Sequence, residues 1–198
     1  MRENTSTPAR GALGATTLRT DRLILRPQVV ADAEVFHQLW SERDERVPAH
    51  RKLNAEGHPT VSDISAHIAG EESERSDLLS VQDRATGDVY GYCGLVFDGN
   101  GAEGEPEIAF ELLRSAQNRG YATEAATAVL AWAVSAGHER AWASVWEWNA
   151  ASRRVLTKLG FVDSGQDRPA SEHGRNILTV MSLPPMNAPS MGRKVHPE

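Results

Sequence analysis

The stretch QNRGYA, Gln117 to Ala122, separates an apolar segment from an alanine-rich one. The segment before it, PEIAFELL (Pro106–Leu113), has the composition of a strand. The residues after it predict a helix over Ala122–Ala136 that Gly137 ends. A turn that places Gly120 between a strand and a helix can direct several backbone N–H groups, and the positive end of the helix dipole, at one point. The pattern therefore indicates either a phosphate-binding turn or a turn that binds nothing.

The residues around this turn argue against two common kinds of nucleotide site. They contain neither the G-x-x-x-x-G-K pattern of a P-loop nor the G-x-G-x-x-G pattern of a dinucleotide-binding fold. Nucleotide hydrolysis and hydride transfer are therefore not indicated. The chain carries 27 acidic and 21 basic residues, a net charge of −6. This balance disfavours nonspecific nucleic-acid binding and favours a cationic substrate or a basic partner.

Length and composition indicate one soluble domain. The 198 residues suffice for one substantial core, and 40% apolar with 24% charged residues is ordinary for a globular protein. The single cysteine, Cys93, lies in an apolar segment, where a core residue is a simpler interpretation than a nucleophile. We therefore expect a reducing, cytoplasmic location, with no secretory signal and no membrane span. The histidines show no metal-ligand spacing, so we expect no metal site.

Periodicity and turn residues predict a mixed α/β domain whose sheet is partly antiparallel. We predict a flexible arm at 1–17, one domain at 18–183 and a disordered tail at 184–198. The predicted helices are Ala33–Arg43, a weaker one from Val61 to near Gly70, Ala122–Ala136 and Ala150–Leu159. The predicted strands are Leu18–Arg26, Leu78–Asp83, Val89–Phe97, Pro106–Leu113, Arg140–Trp148 and Ile177–Leu183.

Three local patterns make finer predictions. Asp32 precedes the first helix and is expected to cap it. Gly160 and Phe161 follow the last helix and predict a Schellman stop, in which Phe161 packs on Leu156. The strand RAWASVWEW alternates small residues with tryptophans, and we expect the tryptophan face to be core, packed by a helix; its members are Trp142, Trp146 and Trp148.

Several segments together resemble the GNAT superfamily of N-acetyltransferases, in its RimJ/RimL-type branch. Gln117-x-x-Gly120-x-Ala122 matches the Q/R-x-x-G-x-G/A signature of that superfamily. Further resemblances follow in family order over roughly residues 18–183: LRTDRLILRP (18–27), TGDVYGYCGL (86–95), GYATEA (120–125) and WNAASRRVLTKLGF (148–161). The resemblance implies a mixed, mostly antiparallel sheet flanked by helices, with splayed fourth and fifth strands, here Pro106–Leu113 and Arg140–Trp148.

The resemblance also implies that acetyl-CoA lies as co-substrate in the cleft between those strands. Backbone groups of Phe110, Glu111 and Leu112 would pair with the pantetheine arm as a missing strand would. The turn would hold the pyrophosphate through backbone amides, with small residues allowing close approach. The turn residues implied are Gln117, Asn118, Arg119, Gly120, Tyr121, Ala122 and Thr123. Arg119 is either a charge contact or a solvated side chain, and Asn149 is implied as both helix cap and contact to the CoA arm.

The implied chemistry is direct transfer of an acetyl group to an amine. Glu107 occupies the acidic position on the fourth strand, as a base or amine-binding carboxylate, or else as a carboxylate that only solvates the strand or pairs with an arginine. Ser152 would act as the acid at the sulfur, or else only support its helix. Two residues depart from the family pattern: Leu156 stands where many members have a tyrosine acid, and Asn118 replaces a frequent glycine in the turn.

Two functions remain open on the sequence. The first is an acetyl-CoA-dependent N-acetyltransferase that acts on a protein N-terminus or a small amine. The resemblance implies that such an enzyme can form a homodimer. The second is a non-catalytic acyl-CoA-binding regulatory module, because the cradle residues are clearer than the acid–base set. Acceptor loops at Glu45–Pro59 and Asp167–Gly174 are expected to select the amine.

Overall fold

The computed structural model describes residue 13 and residues 15–70, 77–97, 101–166 and 168–184. The helices are α1 (Ala33–Ser41), α2 (Val61–Ala69), α3 (Tyr121–Ser135) and α4 (Ala150–Leu159). The strands are β1 (Leu18–Arg19), β2 (Leu23–Pro27), β3 (Asp77–Asp83), β4 (Val89–Val96), β5 (Glu107–Leu112), β6 (Arg140–Trp146), β7 (Val162–Asp163) and β8 (Asn176–Ser182).

The eight strands form one sheet in the order β1-β2-β3-β4-β5-β6-β8-β7. All neighbouring pairs are antiparallel except β5 and β6, which are parallel and meet at a single register position, Glu107 opposite Trp142. This architecture confirms the predicted fold class, including the strands that splay apart. The predicted strands Leu78–Asp83 and Val89–Phe97 are present as the hairpin β3–β4, and Gly87 takes a positive φ of 82° in its turn.

The sheet carries a separate apolar core on each face. Cys93 and Leu95 of β4 belong to a large cluster that also includes the buried face of α3. Tyr92, one residue along the same strand, packs instead against a smaller cluster formed by α1 and α2. Successive side chains of a strand point to opposite faces, so α3 lies on one side of the sheet and the α1–α2 pair on the other. Cys93 is fully buried, and burial raises the pKa of its thiol, which supports its interpretation as a core residue.

Two predicted elements differ from the observed ones. The first predicted strand is divided, because Thr20 N–H donates to the carbonyl of Leu23 and the chain turns back as the β1–β2 hairpin. Asp32 does not cap α1 with its side chain. It lies 2% exposed, and its carboxylate accepts hydrogen bonds from Arg26, Ser80 and the N–H of Val29. The sequence could not show that a partner 48 residues away would take this carboxylate.

The tryptophan face of β6 is only partly buried, contrary to the prediction. The opposite face enters the core, through Ala141, Ala143 and Val145. Trp142 is buried at 6% beneath the loop at residues 101–105, whereas Trp146 and the following Trp148 stay partly exposed. Small residues allow α3 to pack closely on this part of the sheet, and the large rings lie on the other face.

The ends of the last helices follow the prediction. Gly160 takes a φ of 96°, and the N–H of Phe161 donates to the carbonyl of Leu156 at 3.0 Å, which is the Schellman arrangement. At the chain ends, Leu13 is buried in the larger core. The rest of the predicted arm up to residue 12, residue 14, and the predicted tail from residue 185 lie outside the described residues. The predicted domain boundaries therefore stay a prediction.

Candidate active site

The site begins where β5 and β6 separate. Trp142 N–H donates to the carbonyl of Pro106 at 2.9 Å, as a parallel ladder requires. Two residues further along β6, the N–H of Ser144 donates to the side-chain Oε1 of Glu107 at 2.8 Å instead of to the backbone of β5. The Glu107 carboxylate, 8% exposed, thus takes the place of the next ladder bond at the point of divergence. Beyond it, the edge of β5 up to Leu112 faces a gap.

A cavity of about 460 Å³ occupies this gap and continues to both faces of the sheet. It is bounded by the ends of β5 and β6, the start of α3, one side of α4, and the segment that follows α1. The lining residues include Arg43, Asp44, Arg51, Phe110, Glu111, Leu112, Gln117, Asn118, Gly120, Tyr121, Ala122, Thr123, Trp146, Trp148, Asn149, Ser152, Arg154 and Lys158. We call its two ends the cradle, residues 117–123, and the mouth, residues 42–51 with Glu111, Trp146 and Trp148.

The cradle is built from backbone in unusual conformations. Asn118 has a φ of 58° and Gly120 a φ of 83°, both in the left-handed region. Asparagine tolerates this region better than most residues, which explains how Asn118 can stand where a glycine was expected. The first helical hydrogen bond of α3 runs from the N–H of Glu124 to the carbonyl of Gly120. The N–H groups of residues 121–123 precede that bond and are the donors that a helix leaves available at its N-terminus.

Side chains of the cradle hold its backbone in place. The amide Nε2 of Gln117 donates to the carbonyl of Leu112 at 3.0 Å and ties the turn to the end of β5. The Tyr121 ring is buried, stacks on Tyr90 with centroids 5.2 Å apart, and points away from solvent into the core. These side chains are therefore structural, and the cradle presents mainly backbone.

An ion pair fixes the start of α3 to the β1–β2 turn. Glu124 accepts hydrogen bonds from Thr20 Oγ1 at 2.6 Å and from Arg22 Nε at 2.7 Å. Burial acts to raise the pKa of Glu124, but the hydrogen bonds of Thr20 and Arg22 outweigh it and lower the pKa. Arg22 also donates to the carbonyl of Arg119 at 3.0 Å and lies over the Tyr121 ring. The pair therefore holds both ends of the turn that contains Gly120.

The start of α4 forms the opposite wall. Asn149 caps this helix, because its Oδ1 accepts the N–H of Ser152 at 3.1 Å. Both residues line the cavity. Leu156, which was noted as a departure from a tyrosine, is buried in the core, at 3% exposure.

At the mouth, Glu111 is held by two partners from the α1 face. Arg43 donates to both carboxylate oxygens, at 2.9 and 2.6 Å, and the Tyr92 hydroxyl donates to one of them at 3.1 Å. Burial acts to lower the pKa of Arg43, but its hydrogen bond and charge interaction with Glu111 raise it. Burial and the charge of Glu111 raise the pKa of Tyr92, so its hydroxyl stays protonated. Tyr92 also lines a second cavity of about 690 Å³ beneath α1 and α2.

Two parallel indoles form the other side of the mouth. Trp146 and Trp148 stack with centroids 6.2 Å apart and planes inclined by 4°. The Nε1 of Trp148 donates to the carbonyl of His173 at 3.0 Å, and the guanidinium of Arg46 lies 4.2 Å from its ring centre. The loop between β7 and β8 therefore contacts the indoles through His173 and holds Trp148 in position. Of the loops expected to select an acceptor, both contribute here, although Asp167 lies outside the described residues.

The predicted site residues divide between the cavity and its surroundings. The lining contains every predicted CoA-binding residue except Arg119, whose exposed side chain lies near the Tyr121 ring at 5.3 Å. Of the two predicted catalytic residues, Ser152 lines the cavity, whereas Glu107 lies buried at the divergence. Sequence reasoning missed Arg43 and the two indoles. For the indoles, the sequence offered one signal, the alternation of tryptophans with small residues along one strand. For Arg43 it offered none.

The comparisons with known proteins agree with this geometry. The family model described as acetyltransferase (GNAT) domain matches residues 22–162, and the chain therefore belongs to the GNAT acetyltransferases. No curated protein sequence matches the chain significantly. A structure assigned to the GnaT family of acetyltransferases, from Bordetella pertussis, is 26% identical, with a TM-score of 0.64 over 83% of this chain and 98% of that one.

Two more distant structures share the fold. One, described as a ribosomal-protein-serine acetyltransferase of Vibrio cholerae, is 16% identical, with a TM-score of 0.63 over 84% of this chain and 97% of that one. The other is the acetyltransferase yncA of Salmonella typhimurium, solved with its cofactor acetyl-CoA; it is 17% identical, with a TM-score of 0.60 over 85% and 98%. Within the described residues, no helix is long and apolar enough to cross a membrane.

Proposed function

We propose that this chain transfers the acetyl group of acetyl-CoA directly to a primary amine, on a small molecule or at a protein N-terminus. The observation that carries the proposal is the cavity that opens at the β5–β6 divergence, with a helix N-terminus at one end and a separate mouth at the other. Such a cavity would let two substrates enter from opposite faces of the sheet. Membership of the GNAT acetyltransferases supports acetyl-CoA as one of them.

The lining fits a phosphate-bearing thioester. Among the cavity's charged residues the basic ones outnumber the acidic ones, although the whole chain has a net charge of −6. The basic ones are Arg43, Arg51, Arg114, Arg154 and Lys158, and the acidic ones are Glu42, Asp44 and Glu111. We infer that the backbone of residues 117–123 holds the pyrophosphate, with Arg119 as an additional charge contact. The free edge of Phe110–Leu112 and the Asn149 amide would hold the pantetheine arm.

When bound, acetyl-CoA supplies an acetyl group activated as a thioester. The transfer would form a bond between the nitrogen of the neutral amine and the acetyl carbon and break the carbon–sulfur bond of the thioester. The proton lost by the nitrogen would end on the sulfur, which leaves as the CoA thiol. A backbone N–H near the end of β5 would stabilise negative charge on the acetyl oxygen. Ser152 would donate a hydrogen bond toward the sulfur. We assign the role of base to Glu107, reached through water, since its carboxylate is buried beside the cavity rather than in its lining.

The acceptor is not chosen by the fold. One structural neighbour is described as acting on a ribosomal-protein serine, which supports the RimJ/RimL-type branch and a protein N-terminus as acceptor. We propose small amines as the alternative acceptors. We further propose a cytoplasmic location and, as an assembly, a homodimer. The arm at 1–17 and the tail at 184–198 are proposed to flank the single domain of 18–183.

The test is CoA-thiol release from acetyl-CoA across basic peptides and small amines, with Glu107→Ala and Ser152→Ala beside the wild type. We expect release with one acceptor class and at least a tenfold lower kcat for each variant, a typical size for loss of an acid or base. If the protein binds CoA by calorimetry but releases no thiol with any amine, it is instead a non-catalytic acyl-CoA-binding module. Unchanged rates in Glu107→Ala would remove that residue from the chemistry.

A further inference from the structure

We propose that the acceptor amine is carried on a planar aromatic ring, which stacks on Trp146 at the mouth. This inference rests on the proposed transferase function and names its substrate class. It begins with the arrangement of β6, whose small residues enter the core while its indoles do not. Trp146 and Trp148 contribute no packing to either described core, yet they form a wall of the cavity. A large apolar surface that lies in a cavity and outside the core is typical of a ligand site.

The indole wall is held rigidly before any ligand arrives. Trp148 is fixed by its hydrogen bond to the carbonyl of His173 and by the guanidinium of Arg46 on its ring. Gly174 leaves it little room, since a Cβ there would lie 3.1 Å from the ring. Trp146 is parallel to Trp148 and has the His173 ring at its edge, with centroids 6.4 Å apart. A preorganised ring loses little freedom when a flat ligand stacks on it.

The mouth is poorly suited to a polycationic acceptor. The acidic side chains that line the cavity already have partners there: Glu111 pairs with Arg43 at 2.6 Å, and Asp44 with Arg46 at 2.8 Å. Glu42 accepts the N–H of Arg114 at 2.7 Å. A polyamine or a basic peptide would have to compete with Arg43 and Arg46 for two of these carboxylates, whereas an amine with an apolar ring needs neither. The acidic net charge of the chain, which favoured a cationic acceptor, is thus not reproduced in the mouth.

The two indoles also lie on the face of the sheet opposite to the cradle, where an acceptor would enter. Trp148 contacts Arg46, which follows α1, whereas the cradle belongs to the start of α3 on the opposite face. A ring stacked on Trp146 therefore reaches the divergence of β5 and β6 from the side opposite to the cradle. Its amine, on a short aliphatic chain, would point into the cavity toward the β5 edge. This placement leaves the cradle and Asn149 to the donor.

The experiment compares initial rates of thiol release by the full chain with 2-phenylethylamine, 2-cyclohexylethylamine, spermidine and a basic peptide. The cyclohexyl amine matches the phenyl amine in length and apolar size but cannot stack. We expect kcat/KM for 2-phenylethylamine to exceed that for the cyclohexyl amine about threefold or more, the usual gain from aromatic pairing. We expect it to exceed those for spermidine and the peptide by about tenfold or more, since stacking on an indole adds this much to binding.

Substitutions locate the ring. Trp146→Leu should raise KM for 2-phenylethylamine about tenfold while leaving kcat and the CoA dissociation constant unchanged. Trp132→Leu is the matched control, because Trp132 lies on α3, packs against the core and lines neither cavity. It should lower the melting temperature without changing KM.

The possible failures are distinguishable. Release that is fastest with spermidine or the peptide, and indifferent to Trp146→Leu, would overturn the aromatic acceptor and leave the transferase intact. Release with no amine at all would overturn the transferase itself and the aromatic acceptor with it. Equal rates for the phenyl and cyclohexyl amines would also overturn stacking as the basis of selection.

Discussion

The cradle and the mouth lie at two ends of one cavity and are built on opposite principles. The cradle consists of backbone from one continuous segment, 117–123, and its side chains serve mainly to fix that backbone. The mouth consists of side chains from separate segments, in which Arg43, Glu111 and Trp146 come from α1's end, β5 and β6. A backbone site needs small residues in one short sequence and can serve any acceptor. The specificity of a side-chain site changes with each substituted residue, so such a site is suited to selecting the acceptor.

The largest expected effect is on stability and concerns the ion pair of Asp32 and Arg26, on the side of the sheet that carries the mouth. Asp32 anchors the turn before α1 to β2 and β3 through Arg26 and Ser80, and its side chain is 2% exposed. Asp32→Asn leaves Arg26 without its counter-charge in a largely buried position, so we expect a loss of about 3–5 kcal/mol in the free energy of unfolding. Chemical denaturation measures this. A loss below about 1 kcal/mol would show that the pair is not structural.

The pH dependence of this pair has a defined sign. Burial acts to raise the pKa of Asp32, but hydrogen bonds from Arg26, Ser80 and Val29 outweigh it and hold the pKa below its ordinary 3.8. The stabilisation is therefore fully present above about pH 4 and is lost as pH falls through the lowered pKa. The difference in stability between wild type and Asp32→Asn should shrink only below about pH 4, in the same denaturation experiment. A difference that already shrinks between pH 7 and 5 would contradict the assignment to Asp32.

A bulky residue in the cradle should weaken CoA binding far more than its modest loss of stability explains. Gly120→Trp places a bulky side chain at a φ of 83° in the lining of the cavity, where an added Cβ would lie 3.4 Å from the guanidinium of Arg22. We expect CoA affinity to fall at least about 100-fold, or about 2.7 kcal/mol, because the backbone can no longer approach the phosphates. Calorimetry with CoA measures the change.

The same helix offers the control. Gly137, just beyond the other end of α3, has a φ of 87° and open space around it. Gly137→Trp carries the same backbone strain of about 1–2 kcal/mol but lies far from the cradle in sequence and outside the lining. It should lower the melting temperature as much as Gly120→Trp and leave CoA affinity unchanged. Equal CoA affinity in the two variants would refute the cradle.

The difference between the two ends also explains what the sequence could predict. The cradle, the fold class and the end of α4 depend on local signals: glycines at positive φ, a capping asparagine and apolar periodicity. The mouth depends on contacts between distant segments, such as Arg43 with Glu111, 68 residues apart. Alternation on β6 separated tryptophans from alanines correctly, but it could not say which face α3 covers. Glu107 was found as a residue, but its bond to the N–H of Ser144 follows from where the strands diverge.

The smallest expected effect tests whether side chains matter to the cradle at all. Glu124→Gln keeps the shape of the side chain but removes the charge that holds Arg22, whose own side chain is 48% exposed. Because an exposed pair contributes little, we expect a loss of under about 1 kcal/mol in stability. CoA affinity should fall about threefold, since Arg22 also holds the carbonyl of Arg119 beside Gly120. Asp88→Asn, an exposed carboxylate in the β3–β4 turn, serves as control and should change neither quantity. If Glu124→Gln instead weakened CoA binding as strongly as Gly120→Trp, the cradle would depend on its side chains as much as the mouth does, and the contrast between a backbone site and a side-chain site would fail.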